Sequence, residues 1–357
     1  MKPLARSGRK CSALLHCLTR YAGLIITLNL TSTETLPAPT ATALPLPEKW
    51  TISAPLLSPE QRTADVAHAV KDPTVVFHDD LWRVFMTIKC QDRTIMETCS
   101  FSDWSHANQT PRTVLQVADS DYYCAPQVFY FRPHAKWFLI YQVGLPQRKF
   151  MHVAYSTTTN IADPTSWSKA QWIFPDESSD PRTVGGLDYW IICDDDRAYL
   201  FFTSLDGRMW RLWTTLSEFP LGFRDCRLAL QGDIFEASHT YKLQGRDAYL
   251  TIIEANPSGR RYYKAYISDR LDGEWQPLAD GESNPFAGAA NVAPAPDVPP
   301  WTDNISHGEL LRLGSDETLT VDPHNLRFLF QGAWEKDKAK GYGAIPWRLG
   351  ILTPQNP

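Results

Sequence analysis

Short apolar runs separated by turn residues cover most of the chain between Trp50 and Thr353. The runs are rich in Val, Ile, Phe, Tyr and Trp, are bounded by Asp, Gly and Asn, and show little helical periodicity. A unit of strand, short turn and second strand recurs, as in PTVVFHDDLWRVFMT and YWIICDDDRAYLFFTS. The pattern predicts an all-β protein.

The spacing of this unit indicates a particular all-β architecture. Copies of the unit follow Asp72, Ala125, Asp188, Glu236 and, more loosely, His307, at intervals of 48 to 71 residues. This interval suits a four-stranded blade with variable loops. The sequence therefore predicts a five-bladed β-propeller, in which the residues that precede each strand pair converge at one mouth of the channel.

The segment before Trp50 differs in composition from the rest. Basic residues precede an apolar stretch, which is the order of a secretory signal, but the stretch is too interrupted for a complete transmembrane helix. We expect residues 1–31 to be a secretion signal or membrane anchor, residues 32–49 a Pro- and Thr-rich linker, and residues 50–354 the propeller. A disordered cytoplasmic tail is the alternative. A second Pro- and Ala-rich stretch, 287–300, predicts a surface loop.

Charge and aromatic content restrict the partners. The net charge is −5 and the 35 basic residues form no stripe along the chain, so we expect no nucleic-acid partner. The 13 Trp, 14 Tyr and 16 Phe suit sheet packing or stacking on sugar rings. We expect a monomer without an organic cofactor.

The seven cysteines have no zinc-binding spacing, and removal of a signal would leave five of them. Cys90 and Cys99 flank a short polar turn and could pair across a hairpin. Asn108 and Asn304 lie in glycosylation sequons.

Three carboxylates, Asp72, Asp188 and Glu236, converge on the predicted channel. Such groups suit glycoside hydrolysis, in which one carboxylate activates water and a protonated partner donates to the departing oxygen. A third, nearby like charge raises the pKa of the acid. An Asp before a strand is equally often a turn residue, but Glu236 lies inside the apolar run IFEA, where an unpartnered carboxylate is costly. His307 is either a core histidine or a ligand.

Short motifs along the chain also occur, in the same order, in one known family. They include VKDPTVV (70–76), APQVFYF (125–131), GGLD (185–188), IFEASHTY (234–241), WTDNISHGEL (301–310) and GYGAIPWRLGILT (341–353). In this combination the chain resembles glycoside hydrolase family 62, the α-L-arabinofuranosidases active on arabinoxylan, which are related to family 43.

The resemblance implies an inverting, exo-acting enzyme that removes single arabinofuranosyl groups from xylan. It implies that Asp72 is the base, Glu236 the acid and Asp188 the group that modulates the pKa of the acid. It also implies that Lys71 contacts the arabinose, that Gln142 lies near the pocket, that Tyr342 closes it, and that His307 supports a calcium ion.

Some positions depart from the pattern of the family. Val143 replaces a Trp that would wall the sugar pocket, and His324 replaces a cysteine, so the disulfide that joins the chain ends is expected to be absent. The YWII segment (189–192) and the 287–300 stretch also differ, which predicts a reshaped xylan-binding surface. A family 43-like xylosidase or arabinanase, and a non-catalytic carbohydrate-binding propeller, are the alternatives.

Overall fold

The computed structural model describes residues 44–145, 151–175 and 185–355. The compact unit begins at Leu44, whose side chain is buried, so the folded region starts before the predicted boundary at residue 50. The predicted signal or anchor, most of the predicted linker, Cys11 and Cys17 lie outside the described residues. Secretion therefore stays a prediction.

Five sheets make up the described fold, and the innermost strands of neighbouring sheets contact one another around a central channel. Strand β1 (Trp50–Ile52) precedes three four-stranded sheets whose strands follow chain order outward from the channel. These are β2 (Ala67–His78), β3 (Leu81–Cys90), β4 (Thr94–Phe101) and β5 (Thr113–Val114), then β6 (Tyr123–Phe131), β7 (Lys136–Val143), β8 (His152–Thr158) and β9 (Gln171–Trp172), then β10 (Leu187–Cys193), β11 (Arg197–Thr203), β12 (Arg208–Thr215) and β13 (Arg224–Gln231).

The last two sheets are larger because strands from elsewhere join them. Their strands are β14 (His239–Leu243), β15 (Tyr249–Ala255), β16 (Tyr262–Ser268), β17 (Gln276–Gly281), β18 (Asn284–Pro285), β19 (Val292–Pro294), β20 (Ser306–Leu310), β21 (Thr320–Val321), β22 (Phe328–Gly332) and β23 (Arg348–Pro354). The fourth sheet has the order β18-β17-β16-β15-β14-β21, and the fifth has the order β19-β1-β23-β22-β20. The predicted five-bladed β-propeller is confirmed.

Helical structure in the described residues consists of short 3-10 turns at Trp104–Gln109, Arg132–His134, Glu335–Lys340 and Tyr342–Ala344. Within the described ranges, no helix has the length and apolarity needed to cross a membrane.

The ring is closed by the first strand of the domain. Strand β1 pairs with β23 in antiparallel register, so the two ends of the domain share one blade. Trp50 is fully buried, its Nε1 donates to the carbonyl oxygen of Phe286 at 2.6 Å, and the two rings meet edge to face at 5.3 Å. His324 lies on an exposed turn, and the five described cysteines are free. Hydrogen bonding and the burial of Trp50 thus join the ends.

We expect Trp50→Ala to lower the free energy of unfolding by about 3–5 kcal/mol, because it removes a buried ring at the closure and leaves a cavity. Equilibrium unfolding in urea measures this loss. Trp50→Phe is the matched control, since it retains most of the burial and loses only the hydrogen bond, which contributes about 1 kcal/mol. An equal loss in both variants would contradict the role given to packing.

Four of the five innermost strands contain a β-bulge near the same end of the channel. The bulges lie between Lys71 and Thr74, Cys124 and Gln127, Leu187 and Trp190, and Ser306 and Gly308. Asp72 (φ 46°), Ala125 (φ 52°) and Asp188 (φ 54°) adopt left-handed backbone at three of them, as does Ala237 (φ 52°) before β14. Asp tolerates this region better than most residues. Asp72 and Asp188 therefore lie within the inner strands, and the prediction that they precede the strands is wrong.

Each bulge is held by a side chain on the second strand of the preceding blade. The backbone N–H groups of Asp72, Ala125, Asp188 and His307 donate to the side chains of Gln331, Thr87, Gln142 and Glu254, respectively, at 2.8–2.9 Å. These acceptors satisfy donors that the bulges remove from the strand pairing. The seams between blades therefore fix the inner-strand residues that face the channel mouth.

Several local predictions need correction. The register of β3 and β4 places Val84, not Cys90, opposite Cys99, so the suggested Cys90–Cys99 pair is wrong. The 287–300 stretch contains β19, which pairs in parallel with β1, and is not simply a loop. The YWII segment is fully within β10 and buried, so it packs inside the propeller and does not form a binding surface.

Candidate active site

A cavity of about 300 Å³ lies at the end of the channel where the bulges are found. The structure brings together there every site residue predicted from the sequence: Asp72, Asp188, Glu236, Lys71, Gln142, Tyr342 and His307. They come from different blades and from the 3-10 turn near the chain end. The blade spacing grouped Asp72, Asp188, Glu236 and His307, although they are far apart in the chain. The family resemblance added Lys71, Gln142 and Tyr342, and all seven residues share one pocket.

Asp72 lies between a cation and an imidazole. Its Oδ1 is 3.6 Å from the Nζ of Lys71 and 3.4 Å from the Nδ1 of His307. Burial raises the pKa of Asp72, but the opposing interactions, led by the positive charge of Lys71, outweigh burial, and the net pKa lies below its ordinary value. Burial in turn lowers the pKa of His307, against the pull of Asp72, which favours a neutral imidazole. Asp72 is therefore suited to remain ionised and accept a proton.

Asp188 lies on the other side of His307, with its Oδ2 3.6 Å from the Nδ1 of that imidazole. The same oxygen accepts the backbone N–H of Ala237, the residue after Glu236, at 3.1 Å. Burial, followed by the like charges of Glu236 and Asp72, raises the pKa of Asp188 well above its ordinary value. Asp188 is therefore suited to hold a proton beside Glu236, and its role as modulator of the acid stays a prediction.

Glu236 contacts a buried ion-pair network that the sequence did not predict. Its Oε1 accepts from the Nη1 of Arg261 at 2.6 Å, and the same nitrogen lies 2.9 Å from the Oε1 of Glu254. The side chains of Arg261 and Glu254 are 5% and 0% exposed. Glu254 is a charged residue inside the apolar strand YLTIIEA, so the criterion that selected Glu236 from IFEA could also have selected Glu254.

Gln142 lies in the pocket as expected, but both ends of its amide have protein partners. Its Oε1 accepts the backbone N–H of Asp188 at 2.9 Å, and its Nε2 is 3.4 Å from the Sγ of Cys124. Gln142 therefore orients Asp188.

The rim of the pocket exposes large apolar side chains. Tyr342, Tyr122 and Leu205 line the pocket and are 57%, 45% and 50% exposed. The Nζ of Lys71 donates to the hydroxyl of Tyr342 at 3.1 Å and lies 5.2 Å from the centre of its ring. Tyr342 thus covers Lys71 at one side of the opening, in agreement with a closing position. Val143, in contrast, is 2% exposed and is not among the residues that line the pocket.

The surroundings of His307 bear on the predicted calcium ion. In the part of the chain that the structure describes, no group of three or more His, Cys, Asp and Glu side chains could hold a metal. Calcium takes six to eight oxygen ligands, and His307 with its neighbours Asp72 and Asp188 does not form such a shell. Calcium stays a prediction, which metal analysis of protein purified without a chelator tests.

Comparisons with known proteins agree with this geometry. The model of the family described as Glycosyl hydrolase family 62 matches residues 49–353. The chain is 40% identical over 315 residues to Alpha-L-arabinofuranosidase C of Cellvibrio japonicus (strain Ueda107). That match covers 87% of this chain and 47% of the relative, so the chain spans about half the length of the curated relative.

Solved structures give the same result. The catalytic domain of the Coprinopsis cinerea GH62 α-L-arabinofuranosidase has a TM-score of 0.80 at 37% identity, covering 87% of this chain and 98% of that one. The Podospora anserina α-L-arabinofuranosidase PaAbf62A, solved with cellotriose, has a TM-score of 0.80 at 34% identity, covering 88% and 99%. A GH62 hydrolase solved with xylotriose has a TM-score of 0.78 at 35% identity, covering 85% and 97%. The chain therefore belongs to glycosyl hydrolase family 62.

Proposed function

We propose that this protein is an inverting, exo-acting α-L-arabinofuranosidase that removes single arabinofuranosyl groups from arabinoxylan. The observation that carries the proposal is the meeting of Asp72, Asp188 and Glu236, from three different blades, in one small pocket. Carboxyl groups in this arrangement suit displacement at an anomeric carbon. The names of the relatives support the choice of sugar.

In the proposed reaction, Asp72 takes a proton from a water molecule as its oxygen attacks the anomeric carbon from the face opposite the departing group. Glu236 gives its proton to the glycosidic oxygen as the bond between that oxygen and the anomeric carbon breaks. Asp188 modulates the acid, since it holds the backbone beside Glu236 through Ala237. Product departure leaves Asp72 protonated and Glu236 ionised, and proton exchange with solvent restores both.

The shape of the site supports a single-sugar pocket beneath a polymer. A volume of about 300 Å³ is at the small end for ligand sites and suits one sugar unit. The exposed rings of Tyr122 and Tyr342 at the rim provide apolar faces on which a sugar chain can stack. The relatives solved with xylotriose and cellotriose are of the same family, and this supports a β-1,4-linked backbone at the rim.

Digestion of wheat arabinoxylan, followed by proton NMR from the first minutes, tests the function. We expect free arabinose as the only released sugar, with the β-anomer formed first, because inversion of an α-linkage gives β. An α-anomer formed first would contradict inversion. Exclusive cleavage of nitrophenyl xylopyranoside, or binding of arabinoxylan without release of sugar, would overturn the proposal in favour of another specificity or a binding module.

Lys71 is expected to set the acid limb of the pH profile. Asp72 must be ionised to act as base, so activity is lost as the pH falls through the pKa of Asp72. Burial raises this pKa and Lys71 is the main group that lowers it. Lys71→Met should therefore move the acid limb of kcat/KM to higher pH, whereas Lys71→Arg retains the charge and should leave the limb nearly in place. An unshifted limb in the Met variant would contradict this assignment.

A further inference from the structure

Arg261 is a buried residue that contacts Glu236 from the side of the protein interior. Its guanidinium does not line the described pocket, but its Nη1 binds the Oε1 of Glu236 at 2.6 Å. The side chain of Glu236 is 12% exposed and faces the pocket. Because Arg261 binds Oε1, Oε2 is the oxygen left for a substrate. We propose that Arg261, anchored by Glu254, is the positioning residue that orients Glu236 toward the glycosidic oxygen.

The guanidinium is fixed on several sides. The rings of Phe235 and Trp347 lie on it, with centres 5.0 and 5.4 Å from its Cζ. The Nη1 also donates to the Oγ of Ser306 at 3.1 Å and pairs with Glu254 at 2.9 Å. A planar guanidinium held between rings and paired with carboxylates loses little freedom on contact with Glu236. It therefore acts as a rigid support.

Glu254 is fixed in turn by the fifth blade. Its Oε2 accepts the hydroxyl of Ser306 at 2.9 Å and the backbone N–H of His307 at 2.8 Å. The backbone N–H of Arg261 donates to the Oδ1 of Asn304, a fully buried residue whose Nδ2 donates to Asp303 and Ala333. Asn304, the asparagine of the second sequon, therefore stabilises this turn. Its side-chain amide is buried and hydrogen-bonded, so it is not accessible for glycosylation in the folded chain.

If Arg261 positions the acid, the loss of kcat in an Arg261 variant should depend on the leaving group of the substrate. An arabinoxylan oxygen needs a proton in order to leave, whereas dinitrophenolate leaves without one, so only the first substrate needs a well-placed acid. Arg261→Met should lower kcat on arabinoxylan by about 10- to 100-fold, since a misplacement of 1 Å costs about 10²-fold. In the same variant, kcat on 2,4-dinitrophenyl α-L-arabinofuranoside should fall by less than about 3-fold. KM should change little for either substrate.

Arg260→Met is the matched control. Arg260 is the preceding residue on the same turn, its side chain is 48% exposed, and it lies 3.7 Å from Asp303 and not against Glu236. We expect this variant to retain wild-type rates on both substrates. Equal losses on both substrates in Arg261→Met would indicate a merely structural role and overturn the proposal, as would an unchanged rate on arabinoxylan.

Glu254→Gln decides the question if Arg261→Met does not fold. The amide oxygen can still accept from Ser306 and from the N–H of His307, but the charge that anchors Arg261 is gone. We expect the same selective loss on arabinoxylan, smaller in size, at about 3- to 10-fold. A loss that is equal on both substrates would overturn the proposal.

This inference rests on the proposed function, and the two can fail separately. Release of arabinose from both substrates by the wild-type protein tests the function. Only the difference between the two substrates in the variants tests the role of Arg261. A wild-type protein that cleaves neither substrate would overturn both.

Discussion

Replacing Asp72 with Asn is expected to lower kcat/KM by about 10³-fold or more on every arabinofuranoside, whatever the leaving group, because water attack has no base in this variant. The substitution is a clean one. Asn tolerates the left-handed backbone at φ 46°, and the backbone N–H of residue 72 retains Gln331 as its acceptor. The fold should therefore persist, and steady-state kinetics on arabinoxylan and on 2,4-dinitrophenyl α-L-arabinofuranoside measure the loss.

Asp79→Asn is the control for this change. Asp79 lies at the turn of the same hairpin, also has positive φ, and has a side chain that is 70% exposed. We expect full activity in this variant. If Asp72→Asn retained more than a tenth of the wild-type rate, another group would have to supply the base.

Glu236→Gln is expected to distinguish between substrates. On arabinoxylan we expect kcat/KM to fall by about 10³-fold, since the departing oxygen receives no proton. On the dinitrophenyl substrate we expect kcat/KM to fall by no more than about 10-fold, because its leaving group departs without a proton. The amide oxygen of Gln can still accept from Arg261, so this hydrogen bond is retained in the variant.

Glu282→Gln is the corresponding control, at an exposed position of the same blade, where Glu282 accepts from Ser258. We expect no change on either substrate. Equal losses on both substrates in Glu236→Gln would assign Glu236 a role other than proton donor.

The sequence predicted the fold and the three pocket carboxylates for one physical reason, whereas Lys71, Gln142 and Tyr342 came from the family resemblance. Strand pairs repeat at blade length, and equivalent positions of a propeller meet at its axis, so Asp72, Asp188 and Glu236 could be grouped without knowledge of their contacts. The strand pairing at the ends was harder to predict. Strand β1 has three residues, and its partner β23 lies about 300 positions later, so no local pattern marks the pair.

Strand register and side-chain direction also could not be predicted from the pattern of apolar and polar residues. The Cys90–Cys99 pairing failed because the turn between β3 and β4 sets which residues face each other, and a shift of a few residues changes every partner. Val143 was expected to leave the pocket wall open where the family has a Trp, but its side chain is 2% exposed and does not line the pocket. The Arg261–Glu254 pair was missed because partners in an ion pair can be recognised only when the hairpin that joins them is in place.

The side-chain acceptors that hold the bulges have a consequence for protein engineering. The inner strand that carries Asp72 belongs to the first blade, yet the amide of Gln331 that supports it belongs to the fifth, and Gln142 supports Asp188 across another seam. A single blade transplanted from a relative would thus bring a pocket carboxylate without the side chain that supports it in that relative. The unit that can be exchanged between homologues is an inner strand together with the second strand of its neighbour, and chimaeras cut at the seams should lose activity while those cut within blades retain it.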